Sequence, residues 1–192
     1  MGYGLGQFKG DIGKMSNGFA INSFIDAAGR TDNLGLWDDR LLGAHLSLGL
    51  ETVTTHATGN FSGDVSLPIL NTTTVSSSAY ANAYLEYLDL AYRPQAGSWL
   101  HPFIGGGLGG GRASVRANYR LENSNGFVND YVVHDVSSYA GAVQAFGGVQ
   151  ADIGRGFYIS PELRVQYFTT RPVGKPDTYI QSDVNLSLGY KF

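Results

Sequence analysis

Cysteine is absent from the 192 residues, methionine and tryptophan occur only twice each, and charged residues make up 15% of the chain. Without cysteine there is neither a disulfide framework nor a thiolate metal site. An ordinary soluble domain carries about 25% charged residues, so this chain is short of the side chains that dissolve a surface. The net charge of −3 offers no basic footprint, which argues against nucleic acid as a partner. No apolar run approaches the roughly 18 to 20 residues that a spanning helix needs. The opening "MGYGLGQFKG" lacks the charged and apolar regions of a signal peptide, so the expectation is that the numbering begins after a removed signal.

What the chain has instead is glycine, tyrosine and strict alternation. Reading back by twos from Phe192 gives Tyr190, Leu188, Leu186 and Val184, with Lys191, Gly189, Ser187, Asn185 and Asp183 between them. Upstream, Phe157, Ile159, Leu163, Val165 and Tyr167 alternate with Tyr158, Ser160, Glu162, Arg164 and Gln166. Period two over such lengths predicts β-strand. A third stripe runs through Tyr139, Val143, Ala145, Val149 and Ile153, and "GRG" at 154–156 joins it to the second as a hairpin. "PFIGGGLGGGRASVRANYR" sets Phe103, Ala113, Val115, Ala117 and Tyr119 against Arg112, Ser114, Arg116 and Asn118, and "LLGAHLSLGLETVTT" sets five Leu or Ala positions against His45, Ser47 and Glu51. In "AYANAYLEYLDLAYR" the stripe changes phase after Tyr87, which predicts a β-bulge there. "GFAINSFIDAAGR" supplies a further strand, and a first strand within 1–18 completes an even total of eight.

The connections alternate in length: 154–156 and 94–101 are short, whereas 57–79 and 120–136 are long and rich in Ser, Thr, Asn and Gly. That composition predicts loops. No linker or repeat divides the chain, so residues 1–192 read as a single domain. Strands this long exceed the five or six residues usual in globular proteins. Their polar faces carry Gln, Ser, Asn and isolated charges, and aromatic residues gather near strand ends at Tyr92, Phe103, Tyr119, Phe157, Tyr167, Tyr190 and Phe192. A lipid-facing sheet must close to pair its edges. The predicted fold is therefore all-β, an eight-stranded antiparallel up-and-down transmembrane β-barrel with polar residues inside.

"HPFIGGGLGGG" (101–111), "GGVQADIGRGFYISPELRVQYF" (147–168) and "VNLSLGYKF" (184–192) resemble the small eight-stranded outer-membrane barrels, such as the OmpA transmembrane domain and the opacity-like surface antigens. The resemblance covers roughly the C-terminal half. It implies the bacterial outer membrane as location, with outer-membrane lipid as surroundings. It also implies that Phe192 serves the assembly machinery as a recognition signal, with Tyr190, Leu188 and Leu186 as interface anchors.

With polar faces inward, the expected lumen network is Glu51, Arg112, Arg116, Glu162, Arg164, Asp183 and Lys191, because charges away from water persist only when paired. Such a network plugs the barrel; partner exchange within it would instead make a gated pore. His45 and Ser47 superficially match the nucleophile and base of lipid deacylases, yet both are expected on the lumen side, away from a lipid ester. Gly105, Gly107 and Gly110 satisfy a dinucleotide-type spacing without the helix that motif requires. "GDIGKM" fails as a phosphate loop, and the histidines are too scattered for a metal site. No cofactor, metal or enzymatic activity is expected. Leu67, Ile69 and Leu70 in one long loop, and Phe127 and Tyr131 in the other, are apolar residues in polar surroundings and are the expected contacts to a protein partner. The expected role is thus structural, adhesive or partner-binding. A small pore for ions or hydrophobic solutes is the alternative, and a lipid-modifying enzyme the remote one.

Overall fold

The computed structural model describes residues 1–12, 23–38, 45–63, 72–94, 99–123, 128–170 and 177–191. Among these, eight strands follow one another: β1 (Gly2–Ile12), β2 (Ser23–Asp38), β3 (Leu46–Gly63), β4 (Thr72–Tyr92), β5 (Leu100–Asn123), β6 (Val128–Gly154), β7 (Phe157–Thr170) and β8 (Asp177–Tyr190). Each pairs antiparallel with its neighbours in sequence, and β8 closes on β1 from Gly2↔Ser187 to Asp11↔Thr178. The closed ring leaves no sheet edge, which is what a strand in lipid requires, since each unpaired backbone group there costs several kcal/mol.

The weakest strand of the sequence is a regular one. In β1 the inward positions Gly2, Gly4 and Gly6 carry no side chain, and a methyl group at Gly4 or Gly6 would run into the side chain of Asn185 or Asp183. The glycines break the apolar pattern because their space belongs to neighbouring side chains. At the β6–β7 turn, Gly154 (φ 96°), Arg155 (φ 55°) and Gly156 (φ 81°) all occupy the left-handed region, two of them at the residue for which it is free of steric cost.

Along β3, β4 and β5 the polarity of the two faces exchanges. Near the turn end, Leu46, Leu50, Leu88, Leu90, Ile104 and Leu108 point outward and are exposed, while Ser47, Glu51 and Asp89 are buried inside. Toward the loop end the outward positions become His56, Asn82, Tyr84, Arg112 and Arg116. The inward ones there become Val53, Ala57, Ala79, Ala81, Ala83, Leu85, Ala113 and Val115, which join Ala140, Ala142, Phe168 and Tyr179 in one apolar core. The lower barrel is apolar outside, as lipid demands; the upper barrel is apolar inside, as water demands.

The structure corrects three sequence expectations. No bulge occurs at Tyr87: β4 runs in register with β3 from Leu46↔Tyr92 to Gly59↔Ala79, and the shift toward β5 lies at Thr72/Thr74. The phase change in the stripe is the exchange of surroundings. The supposed loops 57–79 and 120–136 are largely strand, since β3 continues to Gly63, β4 starts at Thr72, β5 continues to Asn123 and β6 starts at Val128. Phe103, expected in the lipid-interface girdle, turns inward, its ring centroid 6.3 Å from that of the inward Phe146.

Candidate functional site

The lumen of the lower barrel is built by alternate residues of β2 to β8 around Arg164. Its guanidinium grips Glu51 with two contacts of 2.8 Å, Nη1 to Oε2 and Nη2 to Oε1, and meets Glu162 Oε1 at 2.7 Å from Nη2. Nη1 also donates to Gln144 Oε1 (3.2 Å), and the Cζ sits over the Phe146 ring, 5.5 Å from its centroid, in a cation–π contact. Arg164 is 2% exposed. A planar donor fork saturated by two carboxylates and an amide oxygen is how a guanidinium becomes tolerable away from water.

Around this centre the amides serve as spacers between acids. The Gln144 Nε2 donates to Glu51 Oε2 (3.2 Å) and to Asp89 Oδ1 (2.7 Å), and Asn33 Nδ2 donates to Glu51 Oε1 (2.8 Å). One layer up, Tyr87 donates its hydroxyl to Gln166 Oε1 (3.0 Å), Gln166 Nε2 donates to Asp183 Oδ2 (3.3 Å), and Gln181 Nε2 bridges Thr31 Oγ1 (2.6 Å) and Asp183. Gly107 makes room for the Gln144–Asp89 pair, because any side chain there would occupy the place of the Asp89 carboxylate.

Below the network lies an aromatic layer. Phe146 meets Trp37 edge-on at 5.7 Å, and Arg93 caps the other side, its Cζ 5.4 Å from the Trp37 ring and 5.6 Å from that of Phe103. Between the network and the mouth remains a cavity of about 50 Å³, room for only a few water molecules. It shares Trp37, Arg93, Gln150 and Tyr158 with a vestibule of about 810 Å³ at the turn end.

Of the seven residues expected in the lumen, Glu51 and Glu162 both contact Arg164, and Asp183 lies in the next layer, bonded to Gln166 and Gln181. Lys191 belongs to a separate pair at the turn end, with Asp152 at 2.9 Å. Arg112 and Arg116 are a correction: both point outward, Arg112 against the Tyr139 ring at 5.6 Å and Arg116 beside Asp135 at 4.0 Å. They follow Gly110 in β5, above the exchange of polarity, where the inward face is the Ala113 and Val115 face. Asp89, Gln144, Trp37 and Phe146 were missed; Asp89 could have been found from its place between the outward Leu88 and Leu90.

His45 is exposed at the start of β3, its ring 6.2 Å from that of Tyr92, while Ser47 is buried in the lumen. Tyr190, Leu188 and Leu186 form an outward stripe on β8; Phe192 lies outside the described residues. So do Leu67, Ile69, Leu70 and Phe127, whereas Tyr131 is not in a loop but in β6, paired with Tyr119 of β5. Among the described residues no group of three or more acidic or His side chains is placed to hold a metal.

The chain matches no protein-family model and no curated protein sequence. Among solved structures it is similar to Neisserial surface protein A, at 12% identity over 100% of this chain and 97% of that one, with a TM-score of 0.51. Weaker likenesses are to Ail, the attachment invasion locus protein of Yersinia pestis (7% identity, 97% and 95% covered, TM-score 0.34), and to the outer membrane protein AlkL (17%, 100% and 90%, TM-score 0.34). The fold is that of the eight-stranded outer-membrane β-barrels.

Proposed function

We propose that this chain is a non-conducting barrel of the bacterial outer membrane that works at its loop end, where β3 to β6 stand beyond the bilayer as a platform for contact with a protein partner. The observation that carries the reading is the double closure of the lumen. The Arg164 network fills the lower barrel, and above it Val53 and Leu85, both 0% exposed, sit in a packed apolar core. A continuous water path would have to break the first and wet the second. Short turns at one end and long strand extensions at the other orient such barrels with the extensions outward.

The expected surroundings are outer-membrane lipid, reached with the help of the assembly machinery, and the chemistry of a lipid-modifying enzyme has no support in the separated His45 and Ser47. The reading is tested in planar bilayers. Wild-type protein is expected to give no sustained conductance, and a chain carrying both Arg164→Ala and Leu85→Ala, which weakens the two seals together, is expected to show frequent openings. Steady conduction by the wild type would overturn the reading in favour of a pore.

A further inference from the structure

The strongest feature outside the lumen is on the barrel's outer wall, at the height where its polarity changes. Registers β4–β5 and β5–β6 place Tyr84, Arg112 and Tyr139 side by side in one outward row, with Tyr84 49% and Tyr139 78% exposed. Two rows nearer the turn end lie Leu88, Leu108 and Val143, also outward and exposed. The row between them contains Gly110 paired with Gly141, and a methyl group built on Gly141 would meet nothing within 4 Å. A shallow trough thus runs from apolar wall to cation.

The charge at the top of the trough is available. Arg30 and Arg116, also on the outer wall, each sit beside a carboxylate, Asp32 at 3.8 Å and Asp135 at 4.0 Å. Arg112 has the Tyr139 ring as its contact and no carboxylate within ion-pair distance among the described residues. The nearby acid, Glu86, shares the glycine row and accepts a hydrogen bond from the Tyr84 hydroxyl at 3.3 Å.

We propose that this trough seats one phosphate-bearing anionic lipid of the outer leaflet, its phosphate on Arg112 between the two tyrosine rings and an acyl chain lying over Gly110 and Gly141 against Leu108. The inference rests on the membrane reading above. A guanidinium binds phosphate oxygens through paired N–H groups, and exposed tyrosines belong at the headgroup level. A bare cation would attract any anion; the apolar trough continuous with it selects one that carries a chain.

The test uses the whole chain refolded in uncharged micelles, with native mass spectrometry counting bound dioctanoyl phosphatidic acid, dioctanoylglycerol and inorganic phosphate. The wild type is expected to retain phosphatidic acid in preference to both of the others. Arg112→Gln is expected to weaken retention about tenfold, the scale of one charge-assisted contact, and Gly141→Leu to weaken it by filling the trough. Glu86→Gln is expected to strengthen it, and Arg155→Gln, at the opposite end, to leave it unchanged. Equal retention by wild type and Arg112→Gln, or equal retention of the uncharged diglyceride, would overturn the proposal, as would preference for free phosphate. Heat-dependent gel mobility is read first for every variant. A wild type that folds without detergent defeats the membrane reading itself, whereas a detergent-requiring barrel that ignores phosphatidic acid defeats only the lipid site.

Discussion

Arg164 is the residue whose removal should cost most. It is 2% exposed and holds Glu51 and Glu162 at 2.7 to 2.8 Å, so Arg164→Met leaves two carboxylates facing each other without a cation. The expected loss is about 3–5 kcal/mol, the usual consequence of orphaning a buried charge, measured by urea titration of the barrel in lipid vesicles. Adding Glu51→Gln and Glu162→Gln to the same chain should recover most of it, because the acids were costly only once unpaired. A single Arg164→Met variant as stable as wild type would show the network to be filler. Glu162 is two residues away on the same face of β7, but Glu51 lies 113 residues from Arg164. Alternation could say that both face inward, but not that they meet.

At the scale of the element, β5 and β6 show how one residue type serves two purposes. Gly107 faces inward against the Asp89 carboxylate and the backbone of Leu88, while Gly141 faces outward into open space. Gly107→Val is therefore expected to abolish the heat-modifiable folded form, and Gly141→Val to keep it, on a gel run with and without boiling. The reverse pattern would mean that the faces of these strands are exchanged. The glycine run 105–111 was legible in sequence only as small residues allowing close approach; which neighbour approaches is a matter of register. β7 is legible in full and β8 from Asp183 onward, because their outward residues from Phe157 to Tyr167 and from Val184 to Tyr190 are almost all large and apolar; the start of β8 at Asp177 is not. β1 was the least legible because its inward face has no side chains at Gly2, Gly4 and Gly6.

For the whole molecule, the exposed leucines of the lower wall and the polar outer residues of the upper wall predict two solvents for one barrel. In lipid there is no hydrophobic drive to fill the lower lumen with apolar groups, so ladder hydrogen bonds and the charge network hold it. In water the upper barrel can be held by an ordinary apolar core, with each fully buried Val or Leu contributing about 1.5–3 kcal/mol. Unfolded protein diluted from urea is accordingly expected to fold only when micelles or vesicles are present, giving a β-type circular dichroism spectrum and a mobility shift on boiling. Leu85→Ala, in the upper core, should lower stability by about 2–5 kcal/mol without opening a conductance, since the Arg164 layer below stays closed. Conductance in that variant would mean that the apolar layer is the true seal.

The sequence by itself determined the class of the fold and the lipid-facing stripes of the C-terminal half, the first strand being supplied only by the need for an even total. Each of these follows from period-two alternation and from a low charge content, which are local or additive properties of the chain. The tertiary structure alone decided where alternation changes its meaning. Arg112 and Arg116 look like lumen residues to a rule that puts every polar side chain inside, and they stand outside because in that part of β5 the inward face is the apolar one, with Ala113 and Val115 in the core. It also decided which acids share Arg164. Partners in a closed barrel are set by the register of all eight strands together, and no single stretch of sequence contains it.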